Sequence, residues 1–425
     1  MKNNFNNEIK VPVDKALNLL NDLIAIPSIK GKKNDGLIDF LERELEELDC
    51  HPQVFIADSE KYINHPEYNP LPEGVEKKQK YITGIIKGSG GGKSILIFSH
   101  LDTEDIGERS LWNTDPFKLV KKGDKLYGLG SADDKSGVAA CLMALRVVKE
   151  MGIKLKGDVK YLGENDKDGG DTGLLPAFDK GFNADGAIYV HAPESEYGIG
   201  EIKAGSVGFL TLRITVFGET PPLREKFNPG SFSVKDGVNA INKAVKMINA
   251  LNEYAKKRDR KFNRKKERTN FNMGFIRGGE IAIAVPDKCV VEARITFSTN
   301  ETVKSVFEEV KNILQKVIEE DNSLKKYPPK VEITGIRANP AEISEDENIL
   351  QIAKHSIKEV GNYTIKLFNH HQGSGIRFPI IYDQLPTIAF GLKGGNFCAP
   401  NEWISEEEYI NTIRILVNVI IKWCG

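Results

Sequence analysis

The stretch from Ser94 to Gly137 constrains this chain of 425 residues more than any other. An apolar run, Ile95-Leu96-Ile97-Phe98, reads as a strand and ends in Ser-His-Leu-Asp. His100 and Asp102 therefore lie two apart at a strand's C-terminal end, and the period of two places both on one face. That pairing suits a metal, because an imidazole ligates through one nitrogen while a nearby carboxylate fixes its tautomer and orientation. Asp133, from the following loop, can complete or bridge such a site. Gly128, Gly130 and Gly137 let backbone approach the site closely. Ser136 to Lys149 then reads as an apolar helix whose N-terminus points at it.

Charge narrows the classes of partner. With 59 basic against 60 acidic residues the formal net charge is -1, so no global field draws nucleic acid or an anionic membrane. The N-terminal MKNNFNNEIK lacks the apolar core of a signal peptide, and no apolar run approaches the roughly 20 residues of a membrane span. A cytoplasmic protein is expected. Cys50, Cys141, Cys289, Cys398 and Cys424 are odd in number and lack metal-type spacing, which fits reduced thiols.

Along the chain, helices are expected at 13–26 and 37–48, followed by a polar, proline-bearing insert at 58–79. Strands at 81–86 and 95–99 read as joined by a hairpin turn, GSGGGK. No Lys-Ser/Thr pair follows in the register of a phosphate-binding loop. Strands at 159–162 and 186–190 alternate with helix in the manner of a βαβ series. From Val207 the order becomes strand, helix, two strands, helix, strand, a βαββαβ unit. After Ile336 helix and strand alternation resumes. The expected fold is α/β: a discontinuous main domain, residues 1–205 and 338–425, with a mixed, largely parallel sheet sandwiched by helices, and an inserted α+β domain, 206–337. The basic run Lys256 to Arg268 reads as a solvated loop after a helix.

The stretches SHLDTE and YGLGSADDKSGVAA resemble, in order and spacing, the two signatures of a metallohydrolase family. It is the family of acetylornithine deacetylase, succinyl-diaminopimelate desuccinylase, the aminoacylases and the glutamate carboxypeptidases. Fainter matches continue to Trp403. The resemblance implies a divalent metal, zinc by preference, in one or two ions, and hydrolysis of an amide bond in a small N-acyl amino acid or peptide. It also implies that the inserted domain is a lid that pairs two subunits in a homodimer, and that the Asp133–Asp134 peptide is cis.

By the same resemblance His100 and Asp133 are metal ligands, Asp102 orients His100, and Glu164 is the general base. Five ligand or substrate positions depart from the family pattern. Asn165 replaces a second glutamate, with Asp166 or Asp168 as substitutes in the same loop. Ala192 replaces an acidic ligand, leaving His191 or Glu194 to supply a donor. Cys398 replaces a histidine, and a thiolate ligand and a packed thiol are both open there. The lid histidine is absent, with Arg224 or Lys226 nearby, and Ile283 stands for a substrate-binding asparagine. The segment His370 to Gly375 occupies the substrate-loop position. The amides of Gly373, Ser374 and Gly375 could face an anionic group, and Arg377 could pair with a carboxylate. The alternative is a catalytically impaired homologue that binds a small molecule or peptide.

Overall fold

The computed structural model describes residues 9–62, 65, 76–165, 174–193, 195–221, 237–263, 270–282, 284–369, 371 and 373–425. The main elements begin with α1 (Val13–Ala25), α2 (Asp35–Glu47), β1 (Gln53–Asp58), β2 (Lys78–Ile86), β3 (Ile95–His100), α3 (Ser136–Glu150), β4 (Val159–Glu164) and β5 (Gly186–Val190). They continue with β6 (Gly208–Phe217), α4 (Ala240–Asn263), β7 (Phe271–Gly278), β8 (Lys288–Phe297), α5 (Val303–Glu319), β9 (Lys330–Ala338), α6 (Asn348–Val360), β10 (Thr387–Phe390) and α7 (Glu406–Cys424). Two compact units result, one of Met1–Ser206 with Ala341–Gly425, the other of Val207–Pro340. No helix of the described residues is long and apolar enough to cross a membrane.

In the first unit six strands pair in the order β1-β2-β4-β3-β5-β10. β4, β3, β5 and β10 run parallel, while β2 is antiparallel to both β1 and β4. Every residue of β3 is buried. Its alternate side chains serve two cores: Leu96 and Phe98 pack with Leu174 and Phe378 on one face, and Ile95 and Ile97 with α1 and α3 on the other. A parallel strand covered on both faces requires such an unbroken apolar run. α7 packs on α3 and starts at Ser405, whose Oγ accepts from the Glu408 amide at 3.4 Å. Three glutamates in its first turn complement the helix dipole.

The hairpin expected at GSGGGK does not form. β4 lies between β2 and β3, so the glycine turn joins strands that are not neighbours. β3 finds its partner across the α3 crossover instead, since burying both of its faces takes a parallel neighbour with helices between. β1 begins ahead of the polar insert and adds a strand that the sequence reading lacked.

The second unit follows the βαββαβ order, with strands paired β7-β8-β6-β9, all antiparallel. α4 and α5 cover one face, where Leu212, Ile214, Met247 and Leu251 pack with Val310 and Leu314. The Thr302–Ser305 capping box starts α5. The other face carries Arg213, Arg277, Lys288, Lys330, Glu292 and Glu332 around a depression of about 450 Å³.

Candidate metal centre

Parallel pairing brings three strand ends to one edge of the first sheet, where open α/β sheets hold their ligands. His100 closes β3 and stands directly opposite Glu164, the last residue of β4, in the ladder. His191 follows β5, which pairs with the other side of β3. Neighbouring strands are about 4.8 Å apart, so residues scattered over the sequence become near neighbours.

Asp133 arrives from the loop before α3. Gly130 there has φ 72°, and a Cβ on it would stand 2.5 Å from the Thr103 methyl. A Cβ on Gly137, in the first turn of α3, would meet the Val190 carbonyl oxygen at 2.2 Å. The expected close approach of backbone at these glycines is therefore present. The Asp133–Asp134 peptide is cis.

Asp133 is the centre of the cluster. Its Oδ1 lies 2.8 Å from His100 Nε2 and 3.1 Å from His191 Nε2, and its Oδ2 lies 3.1 Å from Cys398 Sγ. His100, Asp133 and His191 are buried and bring three donor atoms within 4.8 Å of one another. His100 Nδ1 stands 2.9 Å from the Asp102 carbonyl oxygen. A carbonyl only accepts, so Nδ1 carries a proton, and the approach of Nε2 to the Asp133 carboxylate is left to a second proton or to a metal ion. With two imidazoles converging on one carboxylate oxygen, a divalent transition metal fits this donor set.

The structure distributes the remaining expected residues unevenly. The Asp102 carboxylate is 3.5 Å from His100 Nδ1, so its own carbonyl, not its side chain, makes the orienting bond. Glu164 is buried at the strand end beside His100. The Asn165 amide nitrogen donates to the Lys80 carbonyl at 2.6 Å, which turns half of that side chain to backbone support. Ala192 is buried and His191 supplies the donor of that strand end. Glu194, Asp166, Asp168, Arg224, Lys226, Ile283, His370 and Gln372 lie outside the described residues.

The substrate-loop residues are less open than the sequence suggested. The Ser374 amide donates to Ser206 Oγ at 3.2 Å, and Gly375 packs against the Tyr189 ring. Gly373 has φ 65°. Arg377 begins a short helix, Arg377–Tyr382, and is only 1% exposed, its guanidinium carbon 4.1 Å from the Phe378 ring centroid.

One contributor carried no chemical role in the sequence reading. Glu402 is buried and its carboxylate accepts from the amides of Gly130 (2.7 Å), Ala132 (2.7 Å) and Asp133 (2.8 Å). Its position in the segment CAPNEW was the available signal. Tyr189 stacks on Phe98 with centroids 4.9 Å apart and lies 5.1 Å from the His191 ring, filling the strand face behind that imidazole. Burial pushes the Asp134 carboxyl well above its ordinary value and the Lys135 ammonium down to about 7. Lys135 Nζ donates to the carbonyls of Leu23 and Ile26, which ties the Asp133 loop to the end of α1.

A parallel sheet with histidines and a carboxylate at its carboxyl edge defines a metal-dependent hydrolase class, and the comparisons agree. The chain belongs to peptidase family M20/M25/M40, whose profile matches residues 96–422. This is a family of hydrolases acting on amide bonds. N-formyl-4-amino-5-aminomethyl-2-methylpyrimidine deformylase of Halalkalibacterium halodurans is 24% identical over 452 residues, 98% of this chain and 97% of that protein. An uncharacterized metallohydrolase of Methanocaldococcus jannaschii is 27% identical over 433 residues, 96% of this chain and 99% of its own. In fold the chain is similar to aminopeptidase PepT from Bacillus cereus, with a TM-score of 0.73 and 19% identity over 98% of this chain and 100% of that one.

Proposed function

We propose that this chain hydrolyses the amide bond of a small N-acyl amino acid or peptide, using a divalent ion held by His100, Asp133 and His191. Zinc is the ion of choice for two imidazoles and a carboxylate. The observation that carries the reading is the convergence of both Nε2 atoms on Asp133 Oδ1. Cys398, on Oδ2, is proposed as the donor of a second, weaker subsite.

A divalent ion at this place supplies Lewis acidity toward the scissile carbonyl and the attacking water. The chain's residues do the rest. Glu164, across the ladder from His100, takes the proton of the attacking water and returns it to the leaving amine. Its burial against the strand ends keeps bulk water from competing for that proton. The Asp102 carbonyl holds the His100 tautomer. The full-length relative named as a deformylase supports a small acyl group on an amine as the substrate class. A second copy of the chain is proposed to pair through the Val207–Pro340 unit, supported by an edge strand, β7, that exposes Phe275 and Ile276.

A binding protein with impaired chemistry is the second reading, favoured by Asn165 being spent on the Lys80 carbonyl. One assay separates them. Protein purified without chelator is offered a panel of formyl, acetyl and succinyl amino compounds with di- and tripeptides, beside Glu164→Gln. Metal-dependent turnover that Glu164→Gln abolishes, with metal content unchanged, is the expected outcome. Metal-loaded wild type that turns over nothing in the panel while binding members of it would replace the enzyme with the binding protein.

A further inference from the structure

The loop that carries Asp133 has no helical or strand backbone to fix it: Asp133 and Asp134 have φ/ψ of -141°/79° and -140°/29°, outside helical values. The amides of Gly130, Ala132 and Asp133 all point to one buried carboxylate, that of Glu402. Oε1 takes Ala132 and Asp133, and Oε2 takes Gly130. A carboxylate only accepts, so it matches converging N–H groups, and its charge strengthens each bond.

Glu402 also belongs to the segment that delivers the thiol. Cys398, Asn396 and Asn401 all have positive φ, between 55° and 64°. Asn401 anchors that turn, accepting from the Asn113 amide at 2.7 Å and donating to the Leu111 carbonyl at 2.8 Å. One turn therefore grips the Asp133 loop from behind through Glu402 while placing Cys398 on Asp133 Oδ2 in front.

We propose that Glu402 is the positioning residue of the metal centre: through three backbone N–H bonds it sets the Asp133 carboxylate between His100 and His191 before any metal arrives. The inference rests on the metal-binding reading of the cluster. Removing such support beneath a ligand typically weakens metal affinity about 10–100-fold. Glu402→Gln keeps size and replaces one acceptor oxygen by an NH2 group, which would face an amide donor.

Glu408 is the comparator, because its Oε2 likewise accepts two backbone amides, Ile199 at 3.0 Å and Lys393 at 2.8 Å, without touching the Asp133 loop amides. The test measures Zn2+ affinity by chelator competition, and Tm of the metal-free protein, for wild type, Glu402→Gln and Glu408→Gln. Glu402→Gln is expected to raise the Zn2+ Kd about 10–100-fold, while Glu408→Gln lowers Tm and leaves Kd within about twofold. Unchanged affinity in Glu402→Gln, or an equal loss in Glu408→Gln, overturns the proposal. Amide hydrogen exchange on the metal-free wild type decides the matter independently of folding in the variants and of whether zinc binds. Protection at Gly130, Ala132 and Asp133 is expected, and exchange as fast as in an exposed loop overturns it. Wild type that takes up no Zn2+ while those amides stay protected rejects the metal reading and leaves Glu402 as the residue that positions Asp133.

Discussion

The six-stranded sheet of the first unit and the four-stranded antiparallel sheet of the second bury their side chains in different ways. In the first unit β3 is buried at every position, and its two faces feed separate apolar cores. In the second unit β8 alternates buried and partly exposed side chains over most of its length, and among the described residues helices cover one face of its sheet. Parallel pairing in the first unit stacks strand ends of the same sense, so His100, Glu164 and His191 share an edge. Antiparallel pairing in the second alternates strand ends, and among the described residues its side chains form no cluster able to hold a metal. The difference teaches that pairing sense, more than composition, decided where chemistry could be assembled.

The comparison is broken most easily at Asp133. Asp133→Ala should reduce bound metal to below about a tenth of wild type, since it removes the oxygen both histidines face. Elemental analysis checks this, and full occupancy in the variant would move the site elsewhere. The second unit should be insensitive to that change and sensitive to its own core. Leu314→Ala in α5, at a fully buried position, should cost about 2–5 kcal/mol and lower the melting of the Val207–Pro340 unit while metal uptake persists. Loss of both together would show that the units do not fold separately.

A pH difference sharpens the contrast further. Burial alone would raise the Asp321 carboxyl, but the Lys246 and Lys243 ammoniums and the Leu324 and Ser323 amides outweigh it and hold the group well below its ordinary range. A carboxylate with a depressed pKa in the folded state adds stability that is complete above its unfolded pKa, near 4, and is lost as pH falls toward the folded value. Asp321→Asn keeps a capping oxygen but removes the charge that faces Lys243 and Lys246, so it should remove about 1 kcal/mol at neutral pH and flatten the acid limb of the melting curve. An unchanged acid limb would assign that limb to other carboxylates. The smallest effect is expected at the edge strand, where Ile276 is 55% exposed. Ile276→Lys should shift monomer stability by no more than about 0.5 kcal/mol, yet convert a dimer to a monomer in light scattering across a dilution series. A monomer mass in the wild type at every concentration would remove the proposed assembly.

By itself the sequence determined the elements whose signals are local. The apolar run ending in Ser-His-Leu-Asp, the helix after Asp133 and the βαββαβ order all lie in short windows, where periodicity and the glycines act on neighbouring residues. It also carried His100, Asp133 and His191, the last only as an alternative to Glu194. Tertiary structure alone decided what depends on partners far apart in the chain. β4 entered between β2 and β3 because burying both faces of a strand is a property of the whole sheet, and a glycine turn cannot report it. The Asp102 carbonyl displaced its carboxylate as the partner of His100 because the turn after β3 places the backbone closer. Cys398 stands on Asp133 across 265 residues of sequence, and Glu402 closes on the Asp133 amide across 269. Hydrogen bonds over such separations leave no periodicity to read, since they exist only after the chain has packed.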